Sequence, residues 1–346
     1  MENKKTIKML VLSLTGECNL ACKYCYAAQH THAFMTMDTA VKAIDLASAS
    51  GNPFVLQFTG GEPLLAWPLL KNIIGYVQQK KILAIMQIQT NGILIDDAIA
   101  IVLKEARVGI GVSLDGRPRQ NDRQRCFADG GGASGKIISG IEKLKEHAID
   151  IGITCVVTEQ NAEELSGIVE MAYYLGNVRR IGFDLLRGQG RGTNVEAADQ
   201  VVLTKGLEKA FALADKMENL TGRKLLFSQV ERVEKLAKGE ICGFAHCHAM
   251  NGQTAYVDAE GSIYACGSLI GNEAFYLGNV DIGIDVNKQE KIANYIKESM
   301  NFCLRCASFP HCGGACFARW YGSSQQGAYE VECSLKQAAV KWWKNR

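Results

Sequence analysis

Thr15-Gly-Glu-Cys-Asn-Leu-Ala-Cys-Lys-Tyr-Cys-Tyr26 is the stretch around which the rest of the chain is organised. It follows an apolar, strand-like run, Ile7–Leu14, and it places Cys18, Cys22 and Cys25 on one short loop with three and then two residues between them. Three thiolates on such a loop can bind three irons of a [4Fe–4S] cube. Because no fourth cysteine follows closely, one iron of that cube keeps an open coordination position.

The cysteine spacing resembles the signature of the radical S-adenosylmethionine (SAM) enzymes. The resemblance implies that the amino and carboxylate groups of SAM chelate the open iron, and that an electron from the cluster cleaves SAM to a 5′-deoxyadenosyl radical. Tyr24, inside the loop, is expected to cover the cluster or the adenine, or simply to pack. The alternatives are a zinc site or buried free thiols. Zinc commonly takes four ligands in paired C-x-x-C units, so the spacing favours the cluster.

Strand-like and helix-like segments alternate through the first half of the chain, which indicates parallel strands joined by helical crossovers. Six such units resemble the partial (β/α)6 TIM-type barrel of the radical SAM family, an α/β fold. Strands are predicted at Ile7–Leu14, Phe54–Phe58, Ile82–Gln89, Val108–Leu114, Ile149–Val157 and Val178–Leu185. Helices are predicted at Asp38–Ser50 with Asp38 as N-cap, Pro68–Gln79, Asp96–Glu105, Ser134–His147, Glu163–Leu175, Val201–Thr221 and Val230–Lys238.

Glycine-rich segments follow the second, third and fourth predicted strands. They are Thr59-Gly-Gly-Glu-Pro63, Thr90-Asn-Gly92 and Ser113-Leu-Asp-Gly116. In barrels of this type, chemistry gathers where a strand ends and the next loop begins. A lone Asn-Gly is usually only a turn, but glycine recurs at each presumed strand end, which favours a shared ligand. Gly60 and Gly61 allow close backbone approach because they lack a Cβ.

The resemblance assigns SAM contacts to particular positions. They are Tyr24, Gly60, Gly61, Glu62, Pro63, Ser113, Asp115 and Arg125. The GGEP segment would bind the amino group of SAM, with Glu62 either a direct acceptor or a brace for the loop. Ser113 and Asp115 match positions associated with the ribose and methionine portions. Arg125 matches an arginine that holds the SAM carboxylate, a pairing suited to the guanidinium fork, and Arg123 is the competing choice.

Two further segments of the first half have polar compositions. Four arginines gather in residues 115–125, where two aspartates and a proline interrupt them. The expectation for this run is a solvated loop in which one arginine could hold a carboxylate. Gly188-Gln-Gly-Arg-Gly-Thr193 looks like a phosphate-cradling loop but lacks the P-loop lysine. We therefore interpret it as a boundary and active-site loop.

Cysteines dominate the second half of the chain, which holds eight of the thirteen. Their pattern resembles the SPASM extension of peptide-modifying radical SAM enzymes, which carries two further [4Fe–4S] clusters. The resemblance implies that Cys242, Cys247, Cys266 and Cys316 hold the nearer cluster and that Cys303, Cys306, Cys312 and Cys333 hold the outer one. Zinc knuckles are the alternative. A small hairpin, Thr254–Val257 with Ser262–Ala265, is expected in a domain that otherwise has little strand or helix and gains stability from its clusters.

Length and composition bound the remaining interpretation. A chain of 346 residues suggests two domains, and we divide it into a radical SAM barrel at 1–190, a helical bridge at 191–239 and a SPASM domain at 240–346. The net charge of +2 does not argue for nucleic acid or a membrane surface. The first apolar run lacks a cleavage site and no stretch is long enough to span a bilayer. The expected location is cytoplasmic, where disulfides are rare.

Radical chemistry with two auxiliary clusters implies a substrate that loses a second electron after hydrogen abstraction. In the resembling family, such substrates are side chains of a peptide or protein. The first hypothesis is a maturase that forms a thioether or carbon–carbon crosslink in a ribosomally made precursor peptide, supplied with electrons by a flavodoxin or ferredoxin. No separate leader-binding domain is expected before the first strand, so the precursor would dock on the barrel and SPASM surface or with help from a separate chain.

Two alternatives differ in chemistry. Maturation of an anaerobic sulfatase, which produces formylglycine, would use an aspartate directly after the cysteine that here is Cys266, but Gly267 and Ser268 follow it. The catalytic base is therefore unassigned. The candidates for it or for another substrate-facing group are Asp184, Asp258, Asp281 and Cys126, whereas Cys155 is expected in the core. A non-catalytic iron–sulfur electron carrier or binding protein is the second alternative, but it leaves the glycine-rich segments at successive strand ends unexplained.

Overall fold

A single eleven-stranded sheet runs through the computed structural model, which describes residues 6–244, 246–322 and 328–346. The strands are β1 (Met9–Ser13), β2 (Phe54–Thr59), β3 (Ala84–Thr90), β4 (Gly109–Ser113), β5 (Ile151–Val157), β6 (Val178–Leu185), β7 (Leu226–Phe227), β8 (Thr254–Val257), β9 (Ser262–Tyr264), β10 (Tyr276–Asn279) and β11 (Gly283–Ile284). The helices are α1 (Met37–Ser48), α2 (Trp67–Gln79), α3 (Asp97–Glu105), α4 (Pro118–Gln124), α5 (Ser134–Glu146), α6 (Ser166–Leu175), α7 (Gln200–Thr221), α8 (Ser228–Ala237), α9 (Val286–Ser299), α10 (Phe309–Cys312), α11 (Phe317–Gly322) and α12 (Ala328–Lys344).

Strands β1 to β6 are parallel and lie side by side in sequence order, with helices between them. This confirms the predicted partial (β/α)6 barrel. β7 extends the sheet beyond β6, while β8 pairs with the other side of β1 in parallel, with Met9 opposite Thr254 and Leu12 opposite Val257. The barrel is therefore open, and the carboxyl ends of β1 to β6 share one edge.

Alternation along the strands separates the core from the barrel interior. In β2, Phe54, Leu56 and Phe58 are buried, whereas the intervening Gln57 and Thr59 line the barrel interior. Successive side chains of a strand point to opposite faces, so the apolar set packs under the helices while the polar set faces inward. The same period of two is found in β5, where Ile151, Ile153, Cys155 and Val157 are all buried. Cys155 is a core residue, as predicted.

The start of α1 differs from the prediction. Asp38 was expected to cap this helix, but the N-cap is Thr36, whose hydroxyl accepts a 3.1 Å hydrogen bond from the amide of Thr39. Threonine and aspartate both serve as N-caps, so composition alone did not choose between them. Asp38 instead lies in the first turn, where it pairs with Lys42 one turn later at 2.5 Å.

The arginine-rich run is a helix, not the solvated loop that we expected. Its central part forms α4, with Pro118 in the first turn, where a missing amide hydrogen costs nothing. Arg117 makes two 2.7 Å hydrogen bonds to Glu170 on α6, and Arg125, which follows the helix, is buried. The Arg117–Glu170 pair and the burial of Arg125 tie the segment to the barrel, and neither is visible in the local sequence.

The second half contains the expected hairpin, because β8 and β9 pair antiparallel through Tyr256–Tyr264 and Val257–Ile263. It is joined to the barrel sheet through β1, so the domain boundaries that we proposed cross a shared sheet. The expectation of little further regular structure is wrong, since α9 has fourteen residues and α12 has seventeen.

Helix α12 packs on α7. The rings of Trp342 and Phe211 stack at 4.9 Å, and the Trp342 indole nitrogen donates a 2.7 Å hydrogen bond to Asp215. In the described part of the chain, no helix combines the length and apolar character needed to cross a bilayer.

Candidate active site

A cavity of about 320 Å³ opens at the carboxyl ends of the barrel strands. It collects most of the site residues that the sequence singled out in the first half of the chain. Cys18, Cys22, Cys25, Tyr24, Gly60, Gly61, Ser113, Arg125 and Asp184 all line it. The structure thus brings together predicted residues that are up to 166 positions apart, from Cys18 to Asp184.

The cysteine loop is held by the glycines that follow β2. The Gly61 amide donates a 2.8 Å hydrogen bond to the carbonyl of Thr15, and the Glu62 amide donates one of 2.8 Å to the carbonyl of Glu17. A Cβ on Gly61 would overlap the Glu17 carbonyl, and a Cβ on Gly60 would overlap that of Thr15. Glycine is required at both positions because the two backbones touch. The amide of Gly61 therefore supports the cysteine loop.

Glu62 acts as a brace, the second of the two roles considered for it. Its carboxylate accepts hydrogen bonds from the Thr90 hydroxyl at 2.6 Å, the Asn91 amide at 2.7 Å and the Leu64 amide at 3.0 Å. The side chain is completely buried, and burial raises the pKa of Glu62 although these three donors oppose the shift. Glu62 and the adjacent Pro63 stand behind the cavity wall and join the ends of β2 and β3.

Asn91 links that brace to the cysteine loop. Its side-chain amide donates a 2.7 Å hydrogen bond to Asn19 and lies 4.0 Å from the Cys18 sulfur. Burial raises the pKa of the Cys18 thiol to about 11 and that of Cys22 to about 12. Thiols in such a place become thiolates only when a positive partner compensates, which is what iron supplies. The donor set therefore fits an iron–sulfur cluster at this wall.

Arg125, Asp115 and Tyr24 form a buried group at the side of the cavity. Arg125 Nε lies 3.0 Å from Asp115 Oδ2, and the Tyr24 hydroxyl donates a 2.6 Å hydrogen bond to the same oxygen. The Arg125 guanidinium carbon stands 5.3 Å from the centre of the Tyr24 ring. Arg125 and Tyr24 line the cavity, Asp115 lies behind them, and Arg123 is exposed on the surface. The geometry supports Arg125 over Arg123.

The glycine-rich loop after β6 closes over the cysteine loop. The Arg191 amide donates a 2.9 Å hydrogen bond to the Cys25 carbonyl, and its Nε donates one of 2.8 Å to the Cys22 carbonyl. A Cβ on Gly190 would stand 2.6 Å from the Cys25 carbonyl oxygen. Arg191 also lines the cavity. This loop thus belongs to the site, as we interpreted it.

Asp184 enters the cavity from the end of β6 between two arginines. Its oxygens lie 2.6 Å from Arg187 Nη1 and 2.5 Å from Arg319 Nη1. Burial alone would raise the pKa of Asp184, but the two guanidinium groups outweigh it and hold the pKa below its ordinary value. A carboxylate stabilised in this way is a weak proton acceptor.

The other candidates for a substrate-facing group lie elsewhere. Asp258 accepts hydrogen bonds from the Glu260 and Ser262 amides at 3.0 and 2.9 Å and shapes the turn between β8 and β9. Asp281 pairs with Lys42 on the surface at 2.8 Å. Cys126 is buried with its sulfur 3.6 Å from the Ala21 carbonyl, and it is not part of the cavity wall.

Seven of the eight cysteines of the second half fall into two groups. Cys303, Cys306, Cys312 and Cys333 line one small cavity of about 60 Å³. Burial raises the pKa of Cys247 to about 12 and also raises that of Cys266, and in both cases the charge of Cys316 adds to the shift, which places these three sulfurs near one another. Cys242 is exposed. In the ranges 6–244, 246–322 and 328–346, no three His, Cys, Asp or Glu side chains meet at the spacing of a single metal ion.

Comparison with known proteins identifies the family. A model of the radical SAM superfamily matches residues 12–172. A protein of Methanocaldococcus jannaschii, MJ0907, is 33% identical over 284 residues, which cover 82% of this chain and 91% of that one. The chain belongs to the radical SAM superfamily. This radical SAM protein is therefore an enzyme whose cofactors include a [4Fe–4S] cluster and SAM, and its second half is rich in cysteine.

Two more relatives of this radical SAM enzyme carry functional names. The radical SAM cyclopropyl synthase TigE of Paramaledivibacter caminithermalis is 25% identical, with coverage of 91% of this chain and 69% of that one. The serine-type anaerobic sulfatase-maturating enzyme of Klebsiella aerogenes is 26% identical, with coverage of 89% and 79%. Among solved structures, anSMEcpe with bound AdoMet superposes with a TM-score of 0.80 at 21% identity, covering 99% of this chain and 96% of that one. The superposition on anSMEcpe shows that the two proteins share a fold.

The inner surface of the radical SAM barrel carries polar residues that our sequence analysis missed. Thr154 donates a 3.2 Å hydrogen bond to Gln89, which in turn donates one of 3.1 Å to Ser113. A Cβ on Gly111 would overlap the Gln89 amide oxygen, so glycine leaves room for this side chain. Gln57 on β2 lines the same cavity. Gln57 lies between Leu56 and Phe58 in β2, and a glutamine between two apolar residues of a buried strand could have indicated this polar inner surface.

Proposed function

We propose that this enzyme oxidises a side chain within a ribosomally made precursor peptide and closes a thioether or carbon–carbon crosslink in it. When bound, the cluster and SAM supply a 5′-deoxyadenosyl radical that abstracts hydrogen from carbon. The protein contributes position and the exclusion of water. The name of the sulfatase-maturating relative supports action on a protein, and that of the cyclopropyl synthase supports radical SAM chemistry.

The cavity residues have separate roles in this proposal. Cys18, Cys22 and Cys25 hold the cluster on the loop after β1, and Arg125 binds the SAM carboxylate in the same cavity. Arg125 is suited to this because its planar fork matches a carboxylate, and Asp115 keeps the guanidinium in place. The inner polar residues Gln89 and Ser113 offer hydrogen bonds to the sugar hydroxyls.

The observation that carries the choice of reaction is the packing of Gly267. A Cβ at this position would overlap the ring of Tyr256, which is buried beneath it. An aspartate directly after Cys266, the base position of the sulfatase-maturating enzymes, therefore has no space here. Asp184 lines the cavity, but its carboxylate forms ion pairs with Arg187 and Arg319, which make it a weak base. Such a site is better matched to a crosslink, in which the second electron leaves through an auxiliary cluster.

The proposal includes two auxiliary [4Fe–4S] clusters, which gives three in all, and the three-part division at residues 190 and 239. The lining of the 60 Å³ cavity by four cysteines supports the outer cluster. The proximity of Cys247, Cys266 and Cys316 supports the nearer one, with Cys242 as its fourth ligand. The cluster electrons come from an external flavodoxin or ferredoxin.

Sulfatase maturation is the second candidate, favoured by the Klebsiella aerogenes relative. The two reactions leave different products. A crosslink keeps the sulfur of cysteine and creates no carbonyl group, whereas formylglycine is an aldehyde that reacts with a hydrazide.

The test uses anaerobically reconstituted enzyme with SAM and dithionite. It is incubated with the peptide encoded by a short reading frame beside its gene, or with a sulfatase peptide that contains cysteine or serine. The proposal predicts 5′-deoxyadenosine together with a hydrazide-negative peptide that has lost a pair of hydrogens. A hydrazide-reactive sulfatase peptide would establish the second candidate instead, and SAM left intact under reducing conditions would contradict both.

A further inference from the structure

A continuous line of buried charges connects the reaction cavity with the SPASM region. It starts at Asp184 and Arg187, which line the cavity. Arg319 on α11 contacts the other oxygen of Asp184 at 2.5 Å and reaches Glu332 on α12 with its Nε at 2.7 Å. Lys336, one turn further along α12, lies 3.3 Å from Glu332. We call these five residues the charge chain.

The charge chain has more positive than negative groups. Two arginines and a lysine face two carboxylates, so its formal charge is +1. The side chains of Arg319, Glu332 and Lys336 are 18%, 4% and 8% exposed, so solvent screens them little. Arg187 Nε is buried and has no hydrogen-bond partner among the described residues. Guanidinium groups keep their charge in proteins, so Arg187 and Arg319 stay positive, and the formal excess is the charge of Lys336.

The chain runs between the two groups of SPASM cysteines. Arg187 and Arg319 are close enough to Cys316 for the charges to interact, and Arg187 is also close to Cys266. At the other end, Lys336 lines the small cavity of the outer cysteines and donates a hydrogen bond to the Gly314 carbonyl. Arg187 and Arg319 therefore lie beside the cysteines of the proposed nearer cluster.

A cube held by four thiolates is anionic, and one-electron reduction makes it more so. A buried positive charge stabilises the reduced form more than the oxidised form, because the Coulomb energy grows with the charge of the cluster. Net charge and hydrogen bonds around the sulfurs are known determinants of cluster potentials. We propose that Arg187 and Arg319 raise the reduction potential of the nearer auxiliary cluster and so make it the electron acceptor beside the reaction cavity. This inference rests on the auxiliary clusters of the proposed function.

The test is an anaerobic redox titration followed by electron paramagnetic resonance of the auxiliary signals. Arg319→Gln removes a positive charge and is expected to lower the potential of the nearer cluster. Glu332→Gln removes a negative charge from the same ion pair and is expected to raise it. Arg319→Lys keeps the charge and should restore most of the native value. Opposite shifts from the two partners of one ion pair identify an electrostatic effect, because simple disruption would move both in one direction.

Arg180→Gln is the matched control. Arg180 lies on β6, the strand of Asp184, and makes a similar two-point contact with Glu231 at 2.6 and 2.8 Å, but at the surface. Arg180→Gln should leave the reduction potential of the nearer cluster unchanged. Arg187→Gln replaces Arg319→Gln if the latter does not fold. Full iron content with unshifted potentials, or shifts of the same sign in both ion-pair variants, would overturn the inference. Missing auxiliary signals in the native enzyme would instead contradict the proposed clusters.

Discussion

Arg125 contacts both carboxylate oxygens of Asp115, with Nε 3.0 Å from Oδ2 and Nη2 3.2 Å from Oδ1. Asp115 also accepts the Tyr24 hydroxyl and the Val156 amide, so its oxygens are occupied within the protein. The carboxylate is fully buried, and its partners converge from the cysteine loop, from β5 and from the residue that follows α4. The pair fixes the direction of a guanidinium at the cavity wall, and the protein rather than the ligand satisfies Asp115.

Arg125→Gln should weaken SAM binding by about 10- to 100-fold, since a hydrogen bond to a charged group contributes about 1.5–3 kcal/mol. Arg123→Gln is the matched control, because Arg123 belongs to the same run but is exposed. Equilibrium binding of SAM to the anaerobic enzyme measures both. Equal weakening in the two variants would remove Arg125 from its assigned role, and near-infrared circular dichroism would report whether the cluster itself has changed.

Gly61→Ala should abolish SAM cleavage and reduce iron incorporation, because its Cβ would displace the backbone of the cysteine loop at Glu17. Gly75→Ala is the control, since a Cβ at this position in α2 meets nothing within 4 Å. Alanine is favoured over glycine inside a helix by about 1 kcal/mol, so this variant should keep its activity and gain stability. 5′-Deoxyadenosine yield and thermal unfolding are the measurements. An active Gly61→Ala enzyme would contradict the close approach of the two loops.

How much of this could be predicted from sequence depends on the range of the determining contacts. The barrel strands, the cysteine loop and the β8–β9 hairpin were predictable because spacing and period-two alternation are local. The helix at Pro118–Gln124 and the burial of Arg125 depend on partners distant in sequence, which are Glu170 on α6 for Arg117 and Tyr24 for Arg125, and the local composition does not show them. The charge chain joins Asp184 to Glu332 through Arg319, and no pattern in the sequence relates these positions.

Cys303→Ala should lower the iron content by about four of the about twelve atoms expected for three cubes. Cys303 lines the outer cavity with three other cysteines. Cys155→Ala is the control, because Cys155 is equally a buried thiol but belongs to the barrel core. It should keep all of its iron. Iron and acid-labile sulfide are counted in anaerobic preparations. Unchanged iron in Cys303→Ala would contradict the outer cluster, whereas iron loss in Cys155→Ala would show that the counts report folding alone.

His30 should make the stability of the protein depend on pH. Burial lowers the pKa of His30 from 6.5 to about 4, and its Nδ1 is buried with no hydrogen-bond partner among the described residues. The unfolded chain therefore binds a proton between pH 6.5 and 4 that the folded protein resists. Above pH 6.5 the burial of neutral His30 carries no protonation penalty. As the pH falls through this window, the free energy of unfolding decreases by up to about 1.4 kcal/mol per pH unit.

His30→Asn should remove this part of the pH dependence, because asparagine does not titrate. Thermal unfolding between pH 7 and 5 is compared for the native protein, His30→Asn and His32→Asn, since His32 is an exposed neighbour that contacts Glu17 at 2.9 Å. The difference between native protein and His30→Asn is expected to shrink as the pH falls, while His32→Asn keeps the native pH profile. Parallel curves for the native protein and His30→Asn would mean that this imidazole is hydrated in solution and that its burial contributes nothing to acid sensitivity.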